Sequence, residues 1–370
     1  MKRVLMVSCG GLGNGGVQAI MMGIIRNLSR DYYFDMLLFT EEVRYYDDEF
    51  LQYGGEIFRI PHYEGTSFLI RKIYASFRDF YIYRKFDKLL DTKAPYDIIH
   101  CNKQFESAPL LKAAAKHSIP VRICHTHVMA EKTGWLLSIF NCVRSSLIKK
   151  YSTHCLGCSK EACDSFYLKS VKSRVVPNFY DDSKFYFVDL PASSGNIVLT
   201  QLGAFSENKN QLFSLKVLKV LIDMSKSVIL NLIGFDLEPG YKDKIKETIK
   251  ELNLENNVII HSGNTYSPQI LKETNAFLMP SKHEGFGIAL IEAQAMGVIC
   301  FASDAIPQTT NCGGVTYLNV DKINSPYQWA MSICRKKELD GLRHERFDTS
   351  EFKLTRILEL YKDIYNADNE

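Results

Sequence analysis

Residues Asn275 to Gly297 read Asn-Ala-Phe-Leu-Met-Pro-Ser-Lys-His-Glu-Gly-Phe-Gly-Ile-Ala-Leu-Ile-Glu-Ala-Gln-Ala-Met-Gly, and the fold is decided by this string. Ala276 to Met279 form a short apolar run that Pro280 and Ser281 end, the pattern of a buried strand. Ile288 to Met296 combine strong helix formers with an apolar face, and Gly297 is placed to stop that helix. Between them lie Lys282, His283, Glu284, Gly285, Phe286 and Gly287. The glycines let backbone approach a ligand closely, and the N–H groups of the first helical turn favour negative charge. Glu284 lies on the loop and Glu292 just over a turn into the helix, and helical side chains lean toward the N-terminus. Two carboxylates would then flank an anion-binding helix end. That suits a nucleotide sugar, with the amides on the diphosphate and one acid for each ring's hydroxyls. The simpler reading is a helix start whose acids complement the dipole.

The whole string, strand and Glu-Gly-Phe-Gly loop included, is more specific than its two glutamates. It resembles the donor-site signature of the family-four retaining glycosyltransferases of the GT-B fold, many of them bacterial polysaccharide enzymes. The resemblance implies an α/β protein of two Rossmann-like doubly wound domains facing across a cleft. It also implies transfer from a nucleoside diphosphate sugar to a carbohydrate acceptor, with retention at the anomeric carbon and no obligatory metal. On that pattern Glu284 orients the sugar and Glu292 the ribose, while amides near Phe286, Gly287 and Ile288 meet the diphosphate.

A chain of 370 residues suffices for two domains with substantial cores. A formal net charge of +3 gives no global argument for nucleic acid. No apolar run reaches the roughly 18 residues of a membrane span. Met1 to Val7 look like a strand entering a Gly-rich turn and not like a signal peptide, so a cytoplasmic protein is expected. The ten cysteines are then reduced thiols. Cys155 and Cys158, with Cys163 nearby, suggest zinc only weakly because a second matching pair is lacking.

Taken from the start, Val4 to Ser8 should be a parallel strand, followed by a glycine turn and a helix from about Val17 to Ser29. Gly11, Gly13 and Gly16 satisfy Gly-x-Gly-x-x-Gly, and Glu41 after the next strand could bind a ribose. A nicotinamide-dependent oxidoreductase is therefore the main rival, with a tight turn needing no ligand as the plain alternative. A sugar-nucleotide epimerase or non-catalytic binder is the other. In the resembled family, Gly15 and Gly16 of this turn would face the cleft and touch donor phosphate or acceptor.

From Arg71 to Leu90, basic residues alternate with aromatics at helical spacing, and Trp135 to Lys150 adds a second aliphatic stretch ending in two lysines. Peripheral contact with the inner face of the membrane is one expectation, suited to a lipid-linked oligosaccharide acceptor. An ordinary surface helix with its aromatics in the core is the other. His125 and His127 close the strand that starts at Val121, and their spacing puts them on one face of an extended chain. The Arg-Ile-x-His-x-His string resembles family members whose histidine contacts the transferred sugar, with His127 favoured because it is nearer the loop. A metal would need a third ligand, and a buried structural histidine is the alternative.

Val175 to Asp181 resembles the family's Pro-Asn-Gly hinge, with Phe179 in place of glycine, and the Pro/Ser/Gly cluster near 188–196 marks a boundary. The expected domains are 1–190 for the acceptor and 191–349 for the donor, with a terminal helix in 350–370 crossing back. After the strand Ile197 to Leu202, the family has an arginine following Gly203 and a lysine five residues later, both on the diphosphate. Lys209 is in register, but Ala204 replaces the arginine. Gly263-Asn264-Thr265 matches the region near the nucleobase. The implied catalytic set is His127, His125, Lys209 and Glu284. The implied donor set is Gly15, Gly16, Gly203, Lys209, Glu284, Phe286, Gly287, Ile288 and Glu292. No cofactor or metal is expected, the donor being UDP-linked in preference to GDP-linked.

Overall fold

Apolar runs of four to seven residues alternate along the chain with helical segments, which is the sequence form of parallel sheets covered by helices. The computed structural model describes residues 1–8, 10–61, 68–93, 95–130, 135–189, 195–263, 267–342 and 344–367, and all their side chains but those of 68–76, 135–139, 262 and 339–340. Contacts divide the chain into two units. One comprises Met1–Phe179 with Leu354–Glu370, the other Tyr180–Lys353.

The first unit holds β1 (Lys2–Val7), β2 (Tyr32–Leu38), β3 (Ile57–Arg59), β4 (Ile98–Cys101), β5 (Val121–Thr126), β6 (His154–Gly157) and β7 (Ser173–Val175). All pair in parallel in the order β3-β2-β1-β4-β5-β6-β7. The order reverses between β1 and β4, so the loops leaving those two strands diverge from neighbouring carboxyl ends. The terminal helix Leu354–Asn366 belongs to this unit and buries Tyr361 and Tyr365 completely. Cys101, Cys124, Cys155 and Cys163 are buried in its core, and every described cysteine is a free thiol. Burial pushes the thiols of Cys124 and Cys158 up to about 12, as expected of packing residues and not of reactive ones.

The second unit holds β8 (Ile197–Leu202), β9 (Val228–Gly234), β10 (Val258–Ser262), β11 (Ala276–Met279), β12 (Ile299–Ser303) and β13 (Val315–Leu318). These are also parallel, in the order β10-β9-β8-β11-β12-β13, with the reversal between β8 and β11. Trp329, Phe301 and Phe205 lie in its core, and the Trp329 indole N–H donates to the Asn319 carbonyl at 3.0 Å.

β8 and β11 have the limits expected from the sequence. The edge strands β3 and β13 were not anticipated. Ile57–Arg59 is three residues long and half-buried, and Val315–Leu318 has no clear apolar alternation, so neither carries a strong periodic signal. The helix expected over Ser350 to Tyr365 splits into a 3-10 turn, Ser350–Phe352, and the helix proper. Of the expected boundary near 188–196, residues 190–194 lie outside the described residues, as do Asn264 and Thr265.

Candidate functional site

The reversal in the second unit sets the loop after β8 beside the loop after β11. These loops are stitched together by hydrogen bonds centred on Asn208. The backbone N–H of His283 donates to Asn208 Oδ1, and Asn208 Nδ2 donates to the His283 carbonyl, both at 3.0 Å. The Lys282 N–H adds a bond of 2.8 Å to the Asn208 carbonyl, and Asn210 Nδ2 donates to the Pro280 carbonyl at 3.2 Å. Asn210 takes a left-handed conformation (φ 57°) at the start of helix Gln211–Asp223, which asparagine tolerates well. Gln211 braces the first loop by donating through Nε2 to the Ala204 carbonyl at 3.0 Å. Asn208 and Gln211 are parts of the site that the sequence reading missed, because an amide linking two loops leaves no local pattern.

This bracing delivers Lys209 to the β11 loop. Its Nζ lies 2.5 Å from Glu284 Oε1, and the Glu284 side chain is only 10% exposed. The Lys209 stem runs along Gly203, where an added Cβ would stand 3.3 Å from Lys209 Cδ. Ala204 supplies no second cation here.

Three residues beyond Glu284, Gly287 begins helix Ile288–Ala295 with φ 91° and ψ 51°. A Cβ there would meet nothing closer than 3.6 Å, so the conformation and not crowding requires glycine. No side chain caps the helix. The N–H groups of Ile288 and Ala289 have no hydrogen-bond partner among the described residues, leaving two donors and the positive end of the dipole beside the Lys209–Glu284 pair. The Phe286 ring turns away into the core, edge-on to Phe352 with centroids 5.8 Å apart. One turn into the helix, half-buried Glu292 has no hydrogen-bond partner among the described residues. Burial, with Asp181 adding to it against the pull of Lys184, raises its carboxyl to about 7.

Residues 182–311 match the family model described as glycosyl transferases group 1. The chain is a glycosyltransferase, similar to that group over these residues. It is 26% identical over 352 residues to the putative glycosyltransferase EpsF of Bacillus subtilis (strain 168), covering 90% of this chain and 87% of that one. It is 24% identical over 360 residues to the capsular polysaccharide biosynthesis glycosyltransferase CapH of Staphylococcus aureus, with 96% of each covered. Its fold is that of Anabaena Alr3699/HepE, solved in complex with UDP, at a TM-score of 0.75 and 15% identity over 98% of this chain and 99% of that one. The glycosyltransferase thus has the two-unit α/β architecture of the GT-B class, and the signature at Asn275 to Gly297 falls within the matched region.

The remaining candidates lie in the first unit. Gly15 and Gly16 open helix Gly16–Leu28, and a Cβ on Gly15 would fall 2.5 Å from Gln18 Oε1. Glu41, the acid of the dinucleotide rival, is exposed. His125 and His127 are both buried, with ring centroids 4.0 Å apart. His127 is engaged through Nδ1 to Asn178 and through Nε2 to Asn102, at 2.9 and 2.8 Å. His125 Nδ1 meets His100 Nε2 at 3.2 Å, and His100 Nδ1 meets the Tyr365 hydroxyl at 2.8 Å. His125 Nε2 is buried without a partner among the described residues. Burial holds His127 down to about 4 and His100 to about 3, so all three rings are neutral near pH 7, His125 lying well below its usual value too. The sequence reading found two of these histidines and missed His100 and Tyr365, which arrive from another strand and from the terminal helix.

A carboxyl raised in the fold has a definite linkage sign. From the ordinary value of 4.5 to about 7 the folded chain holds a proton that the unfolded chain has lost, so this contribution to stability is full below that window and lost as pH rises through it. Urea denaturation at pH 5 and pH 8 should show a larger loss across the window in the wild type than in Glu292→Gln; equal losses would contradict the raised carboxyl.

Proposed function

We propose that this glycosyltransferase moves a sugar from a nucleoside diphosphate sugar to a carbohydrate acceptor, with retention of anomeric configuration and no required metal. The observation that carries this reading is the uncapped start of helix Ile288–Ala295 beside Lys209 and Glu284. The diphosphate would lie on the Ile288 and Ala289 amides and draw on Lys209. An ammonium has three donors, so Lys209 has capacity for phosphate oxygen while it still touches Glu284. Glu284, fixed by that contact, would orient the sugar, and Glu292 would take the ribose hydroxyls.

The barrier is the separation of a cation-like anomeric carbon from the diphosphate. Amides and ammonium already aimed at the leaving group lower it because they need no reorganisation. The bond from the anomeric carbon to phosphate oxygen breaks, and the bond to the acceptor oxygen forms on the same face. The acceptor's proton passes to the departing phosphate oxygen. With Ala204 in place of arginine, Lys209 carries the side-chain share of this stabilisation. UDP is the expected nucleotide, His127 or His125 would serve the sugar's outer hydroxyls, and Gly15 and Gly16 would meet donor phosphate or acceptor.

A lipid-linked acceptor is favoured by one surface. Phe77, Phe80, Phe140 and Val143 are exposed on helices Phe68–Lys93 and Trp135–Tyr151, which Arg144 and Asp79 join by a two-pronged ion pair of 2.6 and 2.7 Å. Exposed Arg84, Lys85, Lys88, Lys149 and Lys150 lie on the same helices. Ile82, Phe86 and Leu90 are core, and the side chains at Arg71 and Trp135 lie outside the described residues. Aromatics with lysines and arginines fit the interface of an anionic bilayer. No described helix is long and apolar enough to cross a membrane, so the contact would be peripheral.

Transfer from a panel of UDP- and GDP-sugars, assayed in EDTA with product configuration read by NMR, should give a retained anomer from one donor. Lys209→Ala should lower kcat by about 10²–10³-fold, as loss of an electrostatic stabiliser does. Thermal stabilisation by NAD and not by any nucleoside diphosphate would refute the reading. Co-sedimentation with phosphatidylglycerol vesicles should fall sharply in Phe77→Ser/Phe80→Ser; unchanged binding would remove the proposed membrane face.

A further inference from the structure

His127 follows β5, and its ring is held on both sides by asparagines that come from distant parts of the sequence. Asn102 follows β4, the strand paired with β5, and Asn178 is next to the last residue of the first unit's long segment. All three side chains are buried. The two asparagines are not equivalent. Asn102 Nδ2 is surrounded by acceptors, with the Val7 carbonyl and Met6 Sδ at 3.2 Å and the His100 carbonyl at 3.4 Å. Reversing that amide would set its oxygen against those carbonyls, so Asn102 must present Oδ1 to the ring. His127 Nε2 therefore donates and carries the proton. In a neutral imidazole the other nitrogen then holds a lone pair. Asn178 Oδ1 stands 2.9 Å from that nitrogen, and the side chain has no other hydrogen bond among the described residues. Two acceptors cannot share a bond, so with the proton on Nε2 the Asn178 amide must turn over to set its NH₂ against Nδ1.

We propose that Asn102 and Asn178 are positioning residues for His127, Asn102 fixing the proton on Nε2 and Asn178 holding Nδ1 as an acceptor until a substrate hydroxyl takes its place. The proposal rests on the reading that His127 serves the transferred sugar, and it deepens that reading by naming which nitrogen does so. Displacing Asn178 is the easier exchange, because Asn102 is tied to β1 and β4 while Asn178 is tied only to the ring. A sugar hydroxyl would donate to Nδ1 and restore the bond that Asn178 gives up. The ring's orientation would persist through the exchange because Asn102 does not move.

Nitrogen-15 histidine labelling of the full chain reads the tautomer directly at pH 7, without substrate. The wild type should show His127 protonated at Nε2 and bare at Nδ1; protonation at Nδ1 would overturn the assignment. Asn102→Leu should mix the tautomers and lower kcat about tenfold or more, since a wrong histidine tautomer disables the ring while leaving binding largely intact. The donor KM should stay within about twofold. Wild-type kcat in a folded Asn102→Leu would overturn the positioning role. Asn178→Asp sets a carboxylate against Nδ1 and should raise the acid limb of the kcat–pH profile, an effect that loss of packing alone does not produce; an unmoved limb would count against Asn178 facing that nitrogen. Wild-type kcat in His127→Ala, with the Nε2–H tautomer confirmed in the parent, would overturn the sugar-serving reading instead.

Discussion

The reversal of strand order between β8 and β11 is the constraint on which the geometry around Lys209 and Glu284 rests. In a parallel sheet each strand's successor crosses over a helix, and where the direction of growth changes, two successive loops leave neighbouring strand ends on opposite sides. Here those loops carry Lys209 and Glu284, residues separated by 75 positions whose charged ends meet at 2.5 Å. Asn208 makes the two loops one body by bonding both the N–H and the carbonyl of His283. The same rule acts in the first unit, where the glycine turn after β1 and Asn102 after β4 leave adjacent strands.

Much of this was legible in the sequence, for identifiable reasons. β8 and β11 are short stretches rich in apolar residues and bounded by glycine, proline or polar residues, so both their existence and their limits could be read. The loop Glu284 to Gly287 was read from its glycines as a place of close backbone approach, and Gly287 is the left-handed residue at the helix start. Lys209 was placed by spacing from Gly203 and by family resemblance, and its partner could not be known without the topology. The edge strands β3 and β13 escaped notice because their half-buried residues carry little periodicity. The asparagines escaped because their work is non-local. Asn102, Asn178 and Asn208 each join segments that lie far apart in sequence; Asn178 was visible as part of the hinge string, but its contact with His127 was not.

The two clusters use opposite electrostatics. At the helix start of the second unit an ammonium, a carboxylate and two amides without partners among the described residues produce a polar surface with donors to spare, fit for an anion. Around His127 the groups are neutral and buried; the His125 ring lies against it, and His125, His100 and Tyr365 form a separate run of hydrogen bonds. Burial makes ionisation of those rings costly, which favours a role in orienting hydroxyl groups over a role in moving charge.

A crystal structure of the protein with UDP tests the central claim most directly. The account predicts diphosphate oxygens within hydrogen-bond distance of the Ile288 and Ala289 amides and of Lys209 Nζ, with Glu292 on the ribose. A nucleotide held by the Gly11 to Gly16 turn, with the start of helix Ile288–Ala295 left untouched, would contradict it.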